Sequence, residues 1–406
     1  MTNATRGRRL ALLHYTAAPV TGGVESVLSS HAQLLREAGH DVRMIAGRGD
    51  ARVVPEVDSR HREVEHLARR LAAGEGAQDA FEGLRARLVE RLQPLVADRD
   101  LVIAHNVLTM PFNLPLAAAL VDMGTPLVAW THDLAWLNPR YLAYQRPYWP
   151  WSILSQAQPG VRYVAISRVR QRELVDLMRL QPREVPVVPN GISPATFWGL
   201  SHQTVELARE AGFEGADPLI LVPVRITRRK RLELAIETIA LLRVQYPRLK
   251  LVVSGPLGPH SVDNVAYVAE LRRLRSSLDL EDHVIFICDL AKPNGEHPID
   301  DPAVAELYRM ADLILLPSES EGFGLPALEA GLSQTPLVCA DIAVLRETTE
   351  GHAWLFPASG DAVAVASTAR RALASRAARL RRHVLRSYGW PAVMPQLERV
   401  IEASCG

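Results

Sequence analysis

The stretch Glu321-Gly-Phe-Gly-Leu-Pro-Ala-Leu-Glu329 places two carboxylates around seven residues that include two glycines and a proline. An apolar run, Ala311–Pro317, precedes it, and Ala327–Ser333 has helical character. The spacing reads as strand, tight loop and helix, with one acid in the loop and the other in the first helical turn. Pro326 suits the first helical position, where a missing N–H costs nothing. Gly322 and Gly324 let the backbone turn sharply and approach a ligand closely. The N–H groups of Phe323, Gly324 and Leu325 then lie at a helix N-terminus, which favours anions. A carboxylate only accepts hydrogen bonds, so Glu321 and Glu329 suit sugar or ribose hydroxyls. The plainer alternative is a solvated Glu321 and a Glu329 that complements the helix dipole.

A second constellation is Val222-Pro-Val-Arg225-Ile-Thr-Arg-Arg-Lys230. Arg225 is expected to close a strand, with Lys230 at the start of the next helix. Ligands of open α/β sheets bind beyond the carboxyl ends of the strands. Two cations there can hold a pyrophosphate through charge-assisted hydrogen bonds. The alternative is a solvated basic turn, but lysine stands only at 230, 250 and 292 in an arginine-rich chain.

Nearer the amino terminus, Ala17–Glu25 carries Gly22 and Gly23 between a strand and a helix, a loop able to approach phosphate or sugar. It lacks the full glycine pattern of dinucleotide folds and the P-loop lysine, so a structural turn is equally open. His132 and Asp133 follow the run ending at Thr131, and Asn106 follows His105 at an equivalent strand end. A histidine there can bond a sugar hydroxyl or stabilise developing charge. Four of the seven tryptophans lie between Trp130 and Trp151, with Tyr141, Tyr144 and Tyr148 among them. These aromatic faces can pack a sugar or simply staple a loop. Asp98-Arg-Asp100 precedes its strand and reads as a connector, and no other group has metal-ligand spacing.

These residues need a scaffold that brings strand ends together. Strands are expected at Arg9–Tyr15, Val42–Ala46, Leu101–Ala104, Leu127–Thr131 and Tyr163–Ile166, and again at Leu219–Val224, Leu249–Ser254, Val284–Cys288, Leu313–Leu316 and Leu337–Ala340. Each is apolar on both faces, as parallel strands covered by helices are. Alternation with helical segments predicts two doubly wound α/β units. Proline, Asn-Gly and serine crowd into Val187–Pro194, so the boundary is expected there. The arginine- and glutamate-rich segment Asp58–Asp98 reads as a solvated helical pair, with peripheral membrane contact the alternative.

The chain has 406 residues, 48% hydrophobic and 22% charged, which fits a globular protein of two or more domains. A net charge of +1 gives no argument for nucleic acid. Cys288, Cys339 and Cys405 show no metal spacing, and the first two are expected to be buried thiols. The polar start, Met1–Arg9, carries no signal-peptide pattern, so a cytoplasmic protein is expected.

Taken in order, Gly22–Glu25, His132, Pro189-Asn-Gly-Ile192, Arg225 with Lys230, and Glu321 with Glu329 resemble the retaining nucleotide-sugar glycosyltransferases of family four, with the GT-B fold. The resemblance implies two Rossmann-like domains facing across a cleft, at 1–197 and 198–385, with 386–406 crossing back as a helix. It implies a donor pyrophosphate held by Arg225 and Lys230. Sugar hydroxyls would meet Glu321 and the amides of Phe323 and Gly324, Leu325 would add an amide, and Glu329 would accept from the ribose. Gly255 and Leu290 would flank the base, Gly23 would approach a substrate, and His132 would contact the sugar. Asn106, Asp133 and Trp136 are the candidate acceptor contacts. Departures are Val224 and Gln334, where glycine is usual, the shortened Ser254-Gly255-Pro256 turn, and the long loop Lys292–Asp301.

The implied reaction moves a hexose, glucose or mannose, from a nucleoside diphosphate sugar to a hydroxyl acceptor, a small molecule or a glycan. No metal and no cofactor is expected. Alternatives are a nucleotide-sugar epimerase or hydrolase, or a phosphorylase, on the same architecture. A non-catalytic nucleotide-sugar-binding protein is the alternative from another class.

Overall fold

The computed structural model describes residues 7–256, 263–290 and 298–405. The first six residues and most of the long Lys292–Asp301 loop therefore lie outside the described residues. The chain forms two compact units, 1–191 with 390–406, and 192–389. The first break falls ahead of the expected residue 197 and the second after 385. Gly191 packs beneath the indole of Trp390, where a Cβ would overlap the ring. Glycine at this point of the Pro-Asn-Gly-Ile segment is thus a packing requirement.

The first unit holds a parallel sheet of β1 (Arg9–Leu13), β2 (Asp41–Ala46), β3 (Arg52–Val53), β4 (Leu101–His105), β5 (Leu127–Thr131) and β6 (Val161–Ala165). Their order is β3-β2-β1-β4-β5-β6. The helices that cover it include α1 (Gly23–Glu37), α2 (Arg62–Ala73), α3 (Gln78–Val96), α4 (Leu114–Asp122) and α5 (Arg168–Met178). The inner strands are buried residue by residue, in line with their two-sided apolar character. The expected helical pair is α2 and α3. Val64, Leu67 and Leu71 of α2 and Phe81, Leu84, Leu88 and Leu92 of α3 are buried. The carboxy-terminal helix Trp390–Cys405 joins this unit by burying Trp390, Val393, Leu397 and Ile401.

The second unit repeats the plan with β7 (Leu219–Val222), β8 (Lys250–Val253), β9 (Val284–Phe286), β10 (Leu313–Leu316), β11 (Leu337–Asp341) and β12 (Trp354–Pro357). Their order is β12-β11-β10-β7-β8-β9, all parallel. In both sheets the order reverses beside the unit's first strand, between β1 and β4 and between β7 and β10. Ligands of such sheets bind at this switch point.

Several expectations are corrected here. β7 ends at Val222 because Pro223 has no N–H for the ladder, so Arg225 lies in the loop beyond the strand. β9 ends at Phe286 and a 3-10 turn, Ile287–Leu290, follows, which leaves Cys288 only half-buried while Cys339 is fully buried. The edge strands β3 and β12 were not expected. Asp98 and Asp100 form ion pairs with Arg43, Arg99 and Arg9, as suits a connector.

Candidate functional site

In the second unit, the loops after β7 and β10 meet at the switch point. The Lys230 Nζ donates to both oxygens of Glu321, at 2.5 and 2.6 Å, and both side chains are buried. Arg229 stands 3.7 Å from the same carboxylate and donates to the Ser320 carbonyl, while the Glu319 N–H donates to the Arg229 carbonyl. Burial pulls the Lys230 pKa below its ordinary value, and the bond to Glu321 opposes that pull. Lys230 sits in a 3-10 turn, Arg228–Lys230, ahead of the helix Leu232–Leu242, because Arg231 takes a left-handed φ of 48° between them.

Arg225 is exposed, and its side chain has no hydrogen bond or ion pair among the described residues. Its backbone is held by Gly255, where a Cβ would overlap the Val224 carbonyl. The shortened turn after β8 thus supports the loop that carries Arg225.

The helix after Glu321 is Leu325–Leu332, capped by Gly324 in a left-handed conformation (φ 87°). Pro326 is its second residue, and Glu329 lies in its second turn rather than the first. Gly324 supplies the turn, and Gly322 has no left-handed φ and open space around it. Gln334 follows the helix with φ 56°, a left-handed position that glycine would fill with less strain. The buried Tyr308 donates its hydroxyl to Glu329 Oε2 at 2.5 Å. Burial, then the adjacent carboxylate, pushes the Tyr308 pKa well up, so the phenol stays a donor. Phe323 and Leu325 are exposed, and the Phe323 carbonyl accepts from Thr348. Leu290 is exposed, while neighbouring Asp289 is bound by Arg272 and Arg275.

In the first unit, three adjacent strands each lead into a histidine. His14 follows β1, His105 ends β4 and His132 follows β5. His14 Nδ1 lies 2.7 Å from the His105 carbonyl, and His105 Nδ1 lies 3.2 Å from His132 Nε2. His31 of α1 joins them against Trp130 and Trp390. Burial holds His132 at about 4 and His31 at about 3, with a neighbouring histidine adding to each. Burial also takes His105 well below its ordinary value and lowers His14. At neutral pH these rings are uncharged. Among the described residues, both His31 nitrogens, His105 Nε2 and Trp130 Nε1 have no hydrogen-bond partner.

Asn106, at a left-handed φ of 60°, accepts at Oδ1 from the His132 and Asp133 N–H groups and donates to Asp133. It therefore holds the ends of β4 and β5 in register, beyond any contact with an acceptor. Asp133 is exposed at a surface hollow that Asn106 also lines. Trp136 packs half-buried against the core instead, and Leu137 and Tyr141 line the hollow. Gly22 caps α1 and Gly23 begins it. No neighbour restricts Gly23, while Thr16 donates to Glu25 at 2.6 Å to close the loop. His14, His31 and Tyr308 were missed in the sequence. The signal for His14 was present: it is the penultimate residue of one predicted strand, and two further predicted strands run straight into His105 and His132. His31 and Tyr308 carry no local signal.

Among the described residues, no group of three or more His, Cys, Asp or Glu is placed to hold a metal ion. No described helix is long and apolar enough to cross a membrane.

The carboxy-terminal stretch 204–389 matches the family described as Glycosyl transferases group 1, and 21–196 matches Glycosyltransferase Family 4. With two parallel six-stranded sheets, the chain belongs to the group 1 glycosyltransferases of GT-B fold. It is 36% identical over 189 residues to a D-inositol 3-phosphate glycosyltransferase of Kineococcus radiotolerans, covering 46% of this chain but 40% of that protein. It is 23% identical over 382 residues to the mannosylglucosylglycerate synthase of Thermotoga maritima, covering 87% and 85% of the two chains. The structure of a sucrose-phosphate synthase from Thermosynechococcus elongatus aligns over 98% of this chain and 100% of its own, at 20% identity and a TM-score of 0.37. That score is too low to add to the family match.

Proposed function

We propose that this chain is a retaining, metal-independent glycosyltransferase that moves a hexose from a nucleoside diphosphate sugar to a hydroxyl acceptor. The observation that carries this reading is the buried Lys230–Glu321 pair at the switch point of the second sheet, with the exposed Arg225 on the same loop as Lys230. An ammonium and a carboxylate held together offer a phosphate contact and a sugar-hydroxyl contact from one place. Arg225 adds the second cation a diphosphate needs.

In this reading, the anomeric C–O bond to the diphosphate breaks and a bond to the acceptor oxygen forms on the same face. The acceptor proton passes to the departing phosphate oxygen. Arg225 and Lys230 neutralise the charge that develops there, and the protein otherwise contributes positioning. Glu321 holds the sugar hydroxyls, and Glu329, oriented by Tyr308, accepts from the ribose diol. Glucose or mannose is the proposed sugar. The acceptor belongs to the first unit, at Asn106 and Asp133, where His132 serves as a neutral hydrogen-bonding ring.

The test is a panel of UDP- and GDP-linked hexoses scored by thermal shift and by slow donor hydrolysis without acceptor. One donor is expected to bind and turn over in EDTA. Arg225→Ala is expected to lose about 2 kcal/mol of donor or transition-state binding. Wild-type-like donor affinity and turnover in Arg225→Ala would overturn the assignment, and metal-reversible loss in EDTA would remove its metal-free part.

A further inference from the structure

Two hollows lie side by side on the first unit. One, of about 420 Å3, opens beside the ends of β4 and β5 and is lined by Asn106, Asp133, Asn138, Arg170 and Glu173. The other, of about 400 Å3, is lined by Ser59, Glu65, Ala68, Arg69 and Tyr144. Each lies in the size range of small-molecule sites. Phe112 and Tyr141 line both, with ring centroids 5.8 Å apart edge to face, so the hollows form one groove crossed by an aromatic sill.

The far wall is built, not incidental. α2 buries Val64, Leu67 and Leu71 in the core and turns Glu65, Ala68 and Arg69 toward the second hollow. Arg146 donates to the Ala72 carbonyl at 2.7 Å and stacks over Trp151, which fastens the aromatic segment to the end of α2. Both features singled out in the sequence, the arginine-rich helix and the tyrosine- and tryptophan-rich segment, meet here.

The lining chemistry is that of a carbohydrate site. Aromatic faces stand beside amides, carboxylates and a guanidinium, which together offer donors and acceptors to ring hydroxyls. The charges leave no cationic excess. Glu65 offsets Arg69, and Arg170 is already paired with Glu173 beside Asp133. Arg69 is in no ion pair among the described residues, but the carboxylates of Glu65, Asp133 and Glu173 outnumber it and Arg170, so a phosphate or carboxylate on the ligand would meet net negative charge.

We propose that this groove is an extended acceptor site for a neutral glycan of at least two rings, with the reacting ring beside Asp133 and the next ring against α2. The inference rests on the glycosyl-transfer reading above. The test measures KM and kcat on the whole protein, with the donor from the panel, for glucose and mannose, for maltose, cellobiose and mannobiose, and for glucose 6-phosphate. A disaccharide is expected to show a KM at least about five-fold below that of its monosaccharide. Ala68→Trp, which fills the second hollow, is expected to abolish that advantage while monosaccharide kinetics and acceptor-free donor hydrolysis stay unchanged. Arg69→Ala is expected to do the same in part, and it carries the test if Ala68→Trp does not fold. Equal KM for both lengths, disaccharide kinetics untouched by both variants, or preference for the phosphorylated sugar would overturn the extended site alone. Absence of any donor binding or hydrolysis would sink the glycosyl-transfer reading and this one with it.

Discussion

Lys230 and Glu321 are each other's main stabilising partner, and their burial makes the pair sensitive to one-sided change. Removing one member leaves a buried charge without its counter-ion, at a cost of about 3–5 kcal/mol. Lys230→Met alone is therefore expected to lower the urea midpoint strongly. Lys230→Met combined with Glu321→Leu is expected to recover most of that stability while donor turnover remains lost. Equal destabilisation in the single and double variants would show that the pair is not energetically coupled. Tyr308 offers a finer test, because its hydroxyl takes one oxygen of Glu329. Tyr308→Phe should raise the donor KM several-fold, about 1 kcal/mol, with little change in kcat. It should also narrow the preference for a ribose donor over its 2′-deoxy form, which a merely structural tyrosine would not affect. Arg225 and Lys230 stand out in the sequence as a cationic loop after an apolar run, with a lysine rare in this chain, and Glu321 and Glu329 by their spacing around a loop of glycine and proline. Tyr308 does not, because its partner is set by how the helix Asp301–Met310 packs on the following helix.

At the scale of elements, both proposed sites sit where strands end. The inner strands are legible as runs apolar on both faces. β3 and β12 are not, because an edge strand is covered on fewer sides and carries exposed residues such as Arg52, Val53 and Trp354. The strand ends also gather His14, His105 and His132, with His31 from α1, into a buried neutral cluster. A histidine whose folded pKa lies below its unfolded value near 6.5 binds its proton more readily when unfolded. Its contribution is therefore full above pH 6.5 and falls away as pH drops through that value. Each of the four should add about 1.4 kcal/mol of loss per pH unit below pH 6.5, down to its own folded pKa. Urea unfolding followed from pH 7.5 to 5, where most carboxylates stay ionised, should show this steep acid limb. His31→Leu removes two unpartnered buried nitrogens. It is expected to be neutral or stabilising at pH 7.5 and to make the limb shallower. An unchanged slope in that variant would mean that His31 does not titrate on unfolding.

The two units differ in how they use the chain. The second is one continuous segment, 192–389, whereas the first closes only when residues 390–406 return to it. That return is anchored where Ile192 donates to the Tyr388 carbonyl at 2.7 Å and Gly191 fits under Trp390. The final helix then buries Trp390, Val393, Leu397, Val400 and Ile401 against the first sheet's core. At about 1.5–3 kcal/mol for each large side chain, this burial contributes about 7–15 kcal/mol as an upper bound. The whole stability of a typical domain is of the same size, about 5–15 kcal/mol. Truncation after Gly389 should therefore leave the first unit unfolded while the second still folds. Calorimetry of the truncated chain should show one cooperative transition, matching that of an isolated 192–389 fragment. Two transitions at their original temperatures would show that the first unit closes without its carboxy-terminal helix. Because the second unit keeps Arg225, Lys230, Glu321 and Glu329, the truncated chain is also expected to retain donor binding while losing transfer to any acceptor. Loss of donor binding together with the first unit would place part of the donor site outside residues 192–389.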